Sequence, residues 1–160
     1  MAPALPAPEA IDDVDAVTDA VLTASRLLVA VSARSIAAVD DTITIPQFRL
    51  LVVLGNEGPL KLTAIAESLG VNPSTATRMV DRLVIAGLID REPNPASRRE
   101  LVVRLSRKGR AVVGNVTKRR RAQIAEIVGQ MSPTSRRGLV RALSAFAAAG
   151  GEAPVSAGWL

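Results

Sequence analysis

The 160-residue chain contains no cysteine and no histidine. Without cysteine there is no disulfide, no thiol nucleophile and no thiol-based redox sensor. Without either residue there is no zinc finger. The lack of histidine also removes the side chain most often used as a general base near neutral pH. Tyrosine is missing as well, and the aromatic complement is one Trp and two Phe. No Asp/Glu group has metal-ligand spacing, so neither metal nor cofactor is expected. Ser/Lys and paired-carboxylate chemistry have no recognisable arrangement, and an enzyme is not expected.

Long apolar runs are scarce too. Stretches 27–31 and 50–54 fall far short of the roughly 20 residues that span a bilayer. The first ten residues carry Pro3, Pro6 and Pro8 and no cation ahead of their apolar residues, unlike a secretory leader. A cytoplasmic protein without a membrane partner is therefore expected.

What the chain does have is aliphatic residues and positive charge. Apolar residues make up 48% of it, and with so few rings the core must be Ala, Val, Leu and Ile, which suits packed helices. The net charge is +5 and the sequence pI about 10.9, a balance that fits a polyanionic partner. The distribution is uneven. Asp12, Asp13, Asp15, Asp19, Asp40 and Asp41 make the region 9–41 acidic. Region 91–121 is basic, with Arg98, Arg99, Arg104, Arg107, Lys108, Arg110 and the run Lys118-Arg119-Arg120-Arg121. Consecutive residues point around a helix, so that last run cannot face one partner. A solvated face, or ion pairs with the acidic first helix across a dimer, is its simpler explanation.

Periodicity and punctuation place the elements. Apolar residues at Ile11, Val14, Val17, Val21, Leu28 and Val31 predict one long helix over 11–39. Asp40, Asp41 and Thr42 break it. Thr44-Ile45-Pro46-Gln47 has the form of a capping box opening a second helix to about residue 54. An extended piece follows at 60–62. Thr63 is then expected to cap a short third helix, 64–69, closed by Gly70. Asn72 and Pro73 open a fourth helix to about 86, stopped by Gly87. Residues 88–92 and 100–105 read as two strands around the turn 93–97. Ser106 caps a long fifth helix to about 131, and Ser132-Pro133 opens a sixth to about 148.

The centre of this order is a helix-turn-helix followed by a hairpin. Ile65, Leu69, Met79, Val80 and Leu83 can form the shared core, with Ala66 small at the helix crossing. Ser74, Thr75, Thr77, Arg78 and Arg82 are then left for the exposed face of the fourth helix. Small hydroxyls let a helix lie close to base edges, and Arg78 can reach a guanine or a phosphate. The hairpin tip adds Arg98 and Arg99, and an arginine there suits a narrow minor groove. Taken singly, each of these residues is equally well a cap or a solvated cation. The joint pattern points to duplex DNA.

The stretch 62–83, Leu-Thr-Ala-Ile-Ala-Glu-Ser-Leu-Gly-Val-Asn-Pro-Ser-Thr-Ala-Thr-Arg-Met-Val-Asp-Arg-Leu, resembles the MarR family of bacterial transcription regulators. So do Ala86-Gly87-Leu88-Ile89-Asp90-Arg91 and the wing from Ser97-Arg98-Arg99 to Ser106-Arg107-Lys108-Gly109. The resemblance covers roughly 11–148. It implies a mainly α fold with a small β-wing: a winged helix-turn-helix over 40–105 and a helical dimerisation region made of 11–39 and 106–148. Residues 1–10 are expected to be a disordered arm and 149–160 a flexible tail.

The resemblance further implies a homodimer on a palindromic operator, with the recognition helix at 73–86 and the wing at 91–105. A repressor released by a small apolar or aromatic effector is the implied function. The DNA-binding set is then Thr63, Asn72, Ser74, Thr75, Thr77, Arg78, Arg82, Arg98 and Arg99. The family's wing carries an Asp that braces it ionically, and here Ser97 stands in that place. A protein-interaction module that uses the winged fold without DNA is the competing expectation.

Overall fold

The computed structural model describes residues 13–152 and Pro154. The arm expected over 1–10 and most of the tail expected over 149–160, Trp159 included, lie outside the described residues. The order is α1 (Val14–Ala37), α2 (Ile45–Glu57), α3 (Leu62–Leu69), α4 (Pro73–Ile85), β1 (Ile89–Asn94), β2 (Ser97–Leu105), α5 (Arg107–Gly129) and α6 (Pro133–Ala149). This is the mainly α architecture with a small β-wing that the sequence predicts.

Local chemistry accounts for most boundaries. Asp13 caps α1 by accepting from the Asp15 amide at 3.1 Å. Beyond α1 the Asp40 carboxylate accepts from both the amide and the hydroxyl of Thr42, at 3.0 and 2.6 Å. That closes the break, and the hydroxyl bond holds the Asp40 carboxyl below its ordinary range. The capping box of α2 is complete: Gln47 N donates to Thr44 Oγ1 and Thr44 N to Gln47 Oε1. Asn72, Ser106 and Ser132 each cap the helix that follows them. Gly70 takes φ 64°, a conformation that L side chains avoid, to turn α3 into α4.

Two expectations need correction. Helix α3 starts at Leu62, with Lys61 in the capping position and no side-chain cap bond, so Thr63 sits inside the first turn and caps nothing. The cause is tertiary. Leu60 forms an isolated bridge with Val103, its N–H and C=O bonding to that residue at 2.9 and 2.8 Å. The extended piece therefore ends one residue earlier than local pattern suggests. The hairpin also runs further than expected: β1 continues through Pro93 to Asn94 and β2 begins at Ser97. Its register jumps from Pro93↔Leu101 to Asn94↔Ser97. Arg98, Arg99 and Glu100 thus stand opposite no residue of β1. Pro93 has no N–H for the ladder, and a bulge beside it re-aims the side chains it carries.

The core is aliphatic, apart from Phe48. Leu50, Leu51 and Leu54 of α2, Ile65 of α3, Val80 and Leu83 of α4, and Leu88, Ile89 and Leu105 at the hairpin base close over Val112, Val113 and Val116 of α5. Leu69 and Met79 pack on its margin, and Ala66 and Ala76 are buried at the helix contacts.

Outside this lobe the picture reverses. α1 packs along α5 yet buries only Val31, Ser35 and Ile36, and α6 buries nothing. Val14, Val17, Leu22, Val29, Val140, Leu143 and Phe146 are exposed. Phe146, for which ordinary core is the simplest expectation, is 57% exposed. By length and composition α1 is also apolar enough to cross a membrane, which its short apolar runs do not suggest. Beyond α6 the chain is anchored: both Glu152 oxygens accept from Arg49 of α2, at 2.9 and 2.6 Å.

Candidate nucleic-acid interface

Helix α4 is the rod of the site. With 3.6 residues per turn, Ala76, Val80 and Leu83 fall on one side and are buried. Ser74, Arg78 and Arg82 on the other side are exposed, and Thr75 and Thr77 flank them half-buried. Several of the expected contact groups have local partners. Asn72 Oδ1 accepts from the Thr75 amide and the Ser74 hydroxyl, both at 2.8 Å. Asn72 is thus a cap first, with its amide NH2 left to reach outward. Thr77 Oγ1 donates to the Pro73 carbonyl at 2.8 Å, so it can offer a ligand only lone pairs and a methyl group. The Arg78 guanidinium makes no ion pair or hydrogen bond among the described residues.

Arg82 continues the same face one turn beyond Arg78. With Ile43, Thr44, Gln47, Leu83, Ala86 and Leu88 it lines a cleft of about 170 Å³ between the start of α2 and the end of α4. Thr63 is exposed in the first turn of α3, where the leading amides of a helix are free for an anion.

The wing supplies the second cationic group. Arg98 and Arg99 are exposed on the bulged tip and, among the described residues, make no ion pair. Uncompensated guanidinium groups on a protruding tip suit a groove lined by phosphates. Contacts that the linear pattern did not disclose fix the wing to the rest. Arg91 of β1 is ion-paired with Asp81 of α4. Arg104 pairs with Glu92 across the strands at 3.0 Å. Lys61, just ahead of α3, pairs with Glu100 at 2.7 Å. The Lys61 ammonium, by its hydrogen bond and then its charge, holds the Glu100 carboxyl below the usual range. The only advance signal for these pairs is opposite charge, and spacing along the chain does not match them up.

The junction with α5 is tight. Ser106 Oγ donates to the Gly87 carbonyl at 2.7 Å and accepts from the Gly109 amide at 3.0 Å. Lys108 Nζ donates to the Ala86 carbonyl at 2.8 Å. The end of α4 is thereby clamped to the start of α5. Within α5, Arg120 has its Nε sealed from solvent with no acceptor, and burial lowers its pKa.

A sequence model described as the MarR family matches residues 43–101. The chain is 61% identical to RV1404 from Mycobacterium tuberculosis, whose crystal structure superposes with a TM-score of 0.85 over 91% of this chain and 99% of that one. It is 28% identical over 101 residues to YfiV of Bacillus subtilis, an HTH-type transcriptional regulator, a match spanning 63% of each. It is 36% identical over 70 residues to the multiple antibiotic resistance protein MarR of Salmonella typhimurium, covering 44% of this chain and 49% of that protein. The chain thus spans about half to two thirds of the length of these two curated relatives.

Proposed function

The chain belongs to the MarR family of DNA-binding transcriptional regulators, and on that premise we propose that it acts as a homodimer on a palindromic operator, repressing transcription until a small apolar or aromatic molecule releases it. The observation that carries the DNA face is the set Arg78, Arg98 and Arg99: three exposed guanidinium groups with no ion-pair partner among the described residues, on two elements joined by Asp81 and Arg91. Arg78, with Ser74, Thr75 and Thr77, would read the major groove. Arg98 and Arg99 would enter the minor groove beside it. Thr63, Asn72 and Arg82 would add contacts at the margins.

The test is retention of the protein's own genomic fragments, followed by affinity against salt. We expect a palindrome whose half-sites lie about one helical turn apart. The affinity should fall about 10³-fold or more between 50 and 200 mM salt, as for about six neutralised phosphates. Salt-independent behaviour would favour the protein-interaction reading.

The dimer rests on the apolar faces of α1 and α6, which nothing among the described residues covers. A soluble chain does not ordinarily leave a continuous apolar face of that extent in water. A second copy related by a two-fold axis would cover both faces and would match the symmetry of a palindrome. Its α1 would bring Asp15 and Asp19 toward the basic α5. The double variant Leu143→Glu/Phe146→Glu should sediment as a monomer where the parent sediments as a dimer. A variant that still dimerises would place the interface elsewhere. The effector would lodge in the cleft beside Arg82, between the start of α2 and the end of the recognition helix α4.

A further inference from the structure

The bracing carboxylate expected at position 97 is a serine, yet the wing tip is not left loose. Glu100 sits within the bulge beside Arg98 and Arg99 and does two things at once. Its Oε2 meets Lys61 Nζ at 2.7 Å and accepts from Asn94 Nδ2 at 3.2 Å. Asn94 in turn accepts from the Ala96 amide at 3.0 Å through its Oδ1, closing the tight end of the hairpin. Lys61 is itself held, because its neighbour Leu60 is bonded to Val103 of β2. A chain of contacts therefore runs from the start of α3 through Glu100 to the turn.

We propose that Lys61, Glu100 and Asn94 are positioning residues that set the bulged wing tip, and with it Arg98 and Arg99, against DNA in place of the missing carboxylate at 97. The inference rests on the DNA-binding reading above. The network is half-exposed, so its weight in overall stability is small. Its effect lies in confining a segment that the β1–β2 ladder leaves unpaired. A loose tip must be ordered on binding, and that ordering reduces affinity.

Simple electrostatics and this role predict opposite signs for one substitution. Glu100→Gln removes a negative charge beside the DNA face, which by charge alone tightens binding. We expect it instead to weaken operator binding about tenfold, with the unfolding midpoint and oligomeric state unchanged. The exchange Lys61→Glu/Glu100→Lys keeps the net charge and the pair. It should return affinity to within about threefold of the parent, whereas Lys61→Glu alone should not.

A Glu100→Gln protein that binds as tightly as the parent, or more tightly, overturns the proposal. So does an exchange variant no better than Lys61→Glu, which would mark Lys61 as a phosphate contact. These results leave the DNA reading standing. A parent protein that retains no DNA at low salt overturns both.

Discussion

Replacing Arg98 and Arg99 together by alanine is expected to weaken operator binding about a hundredfold while leaving the fold and the oligomeric state unchanged. Each arginine that meets a base edge or phosphate contributes roughly 1–3 kcal/mol, and a hundredfold loss is about 2.7 kcal/mol. Two modest contacts therefore suffice. The fold should not notice, because both side chains are exposed and the register jump leaves them opposite no residue of β1. The logarithmic salt dependence should become shallower by about 2, since each neutralised phosphate adds about 0.9 to it. A gel shift on the operator, repeated at three salt concentrations, measures both quantities. An unaltered shift would remove the wing from the interface and leave α4 as its sole reader.

Gly109→Ala is expected to destabilise the folded chain by about 3 kcal/mol, although alanine is ordinarily the better helix residue by about 1 kcal/mol. Gly109 lies in the first turn of α5, under the hairpin base. A Cβ there would stand 2.1 Å from the Leu88 carbonyl oxygen and 2.8 Å from Leu105 Cδ1. Leu105 can yield by changing rotamer. The carbonyl cannot, because it is backbone and accepts the Ser106 amide at 3.0 Å. The helix must lift off the hairpin, and overpacking of that kind costs about 1–3 kcal/mol or more. Gly114→Ala, in the same helix and meeting nothing within 4 Å among the described residues, is the control and should be neutral or slightly stabilising. Denaturant unfolding of the two variants gives the comparison. Equal stability would mean that α5 does not approach Leu88 so closely.

Most helix boundaries were legible because they depend on neighbours in sequence. Thr44 with Gln47, Asn72 with Pro73, and Ser132 with Pro133 carry their partners within three residues, and Gly70 needs only its own lack of a Cβ. The face of α4 followed from periodicity for the same reason. What stayed hidden was set across the chain. The start of α3 is fixed by Leu60 meeting Val103, and the bulge by a register that no local pattern states. Asp81 finds Arg91 ten residues on, Lys61 finds Glu100, and Arg49 finds Glu152 over a separation of 103 residues. Charge of the right sign was visible at every one of these positions, but surface ions have many candidate partners and only the folded geometry selects among them. The wing shows the difference most clearly. The arginine pair could be read from the sequence, while its support came from residues that no motif links.

The clamp between the end of α4 and the start of α5 has a mechanical consequence. Ser106 and Lys108 tie the start of α5 to the Gly87 and Ala86 carbonyls at the end of α4, so a pivot of one helix would carry the other. With 23 residues rising 1.5 Å each, α5 is a lever of about 34 Å. A tilt of about 5° at its far end carries the near end roughly 3 Å, close to the 3.4 Å step between base pairs. A small adjustment where the long helices meet would thus be geared up into a displacement of about one rung along a bound duplex.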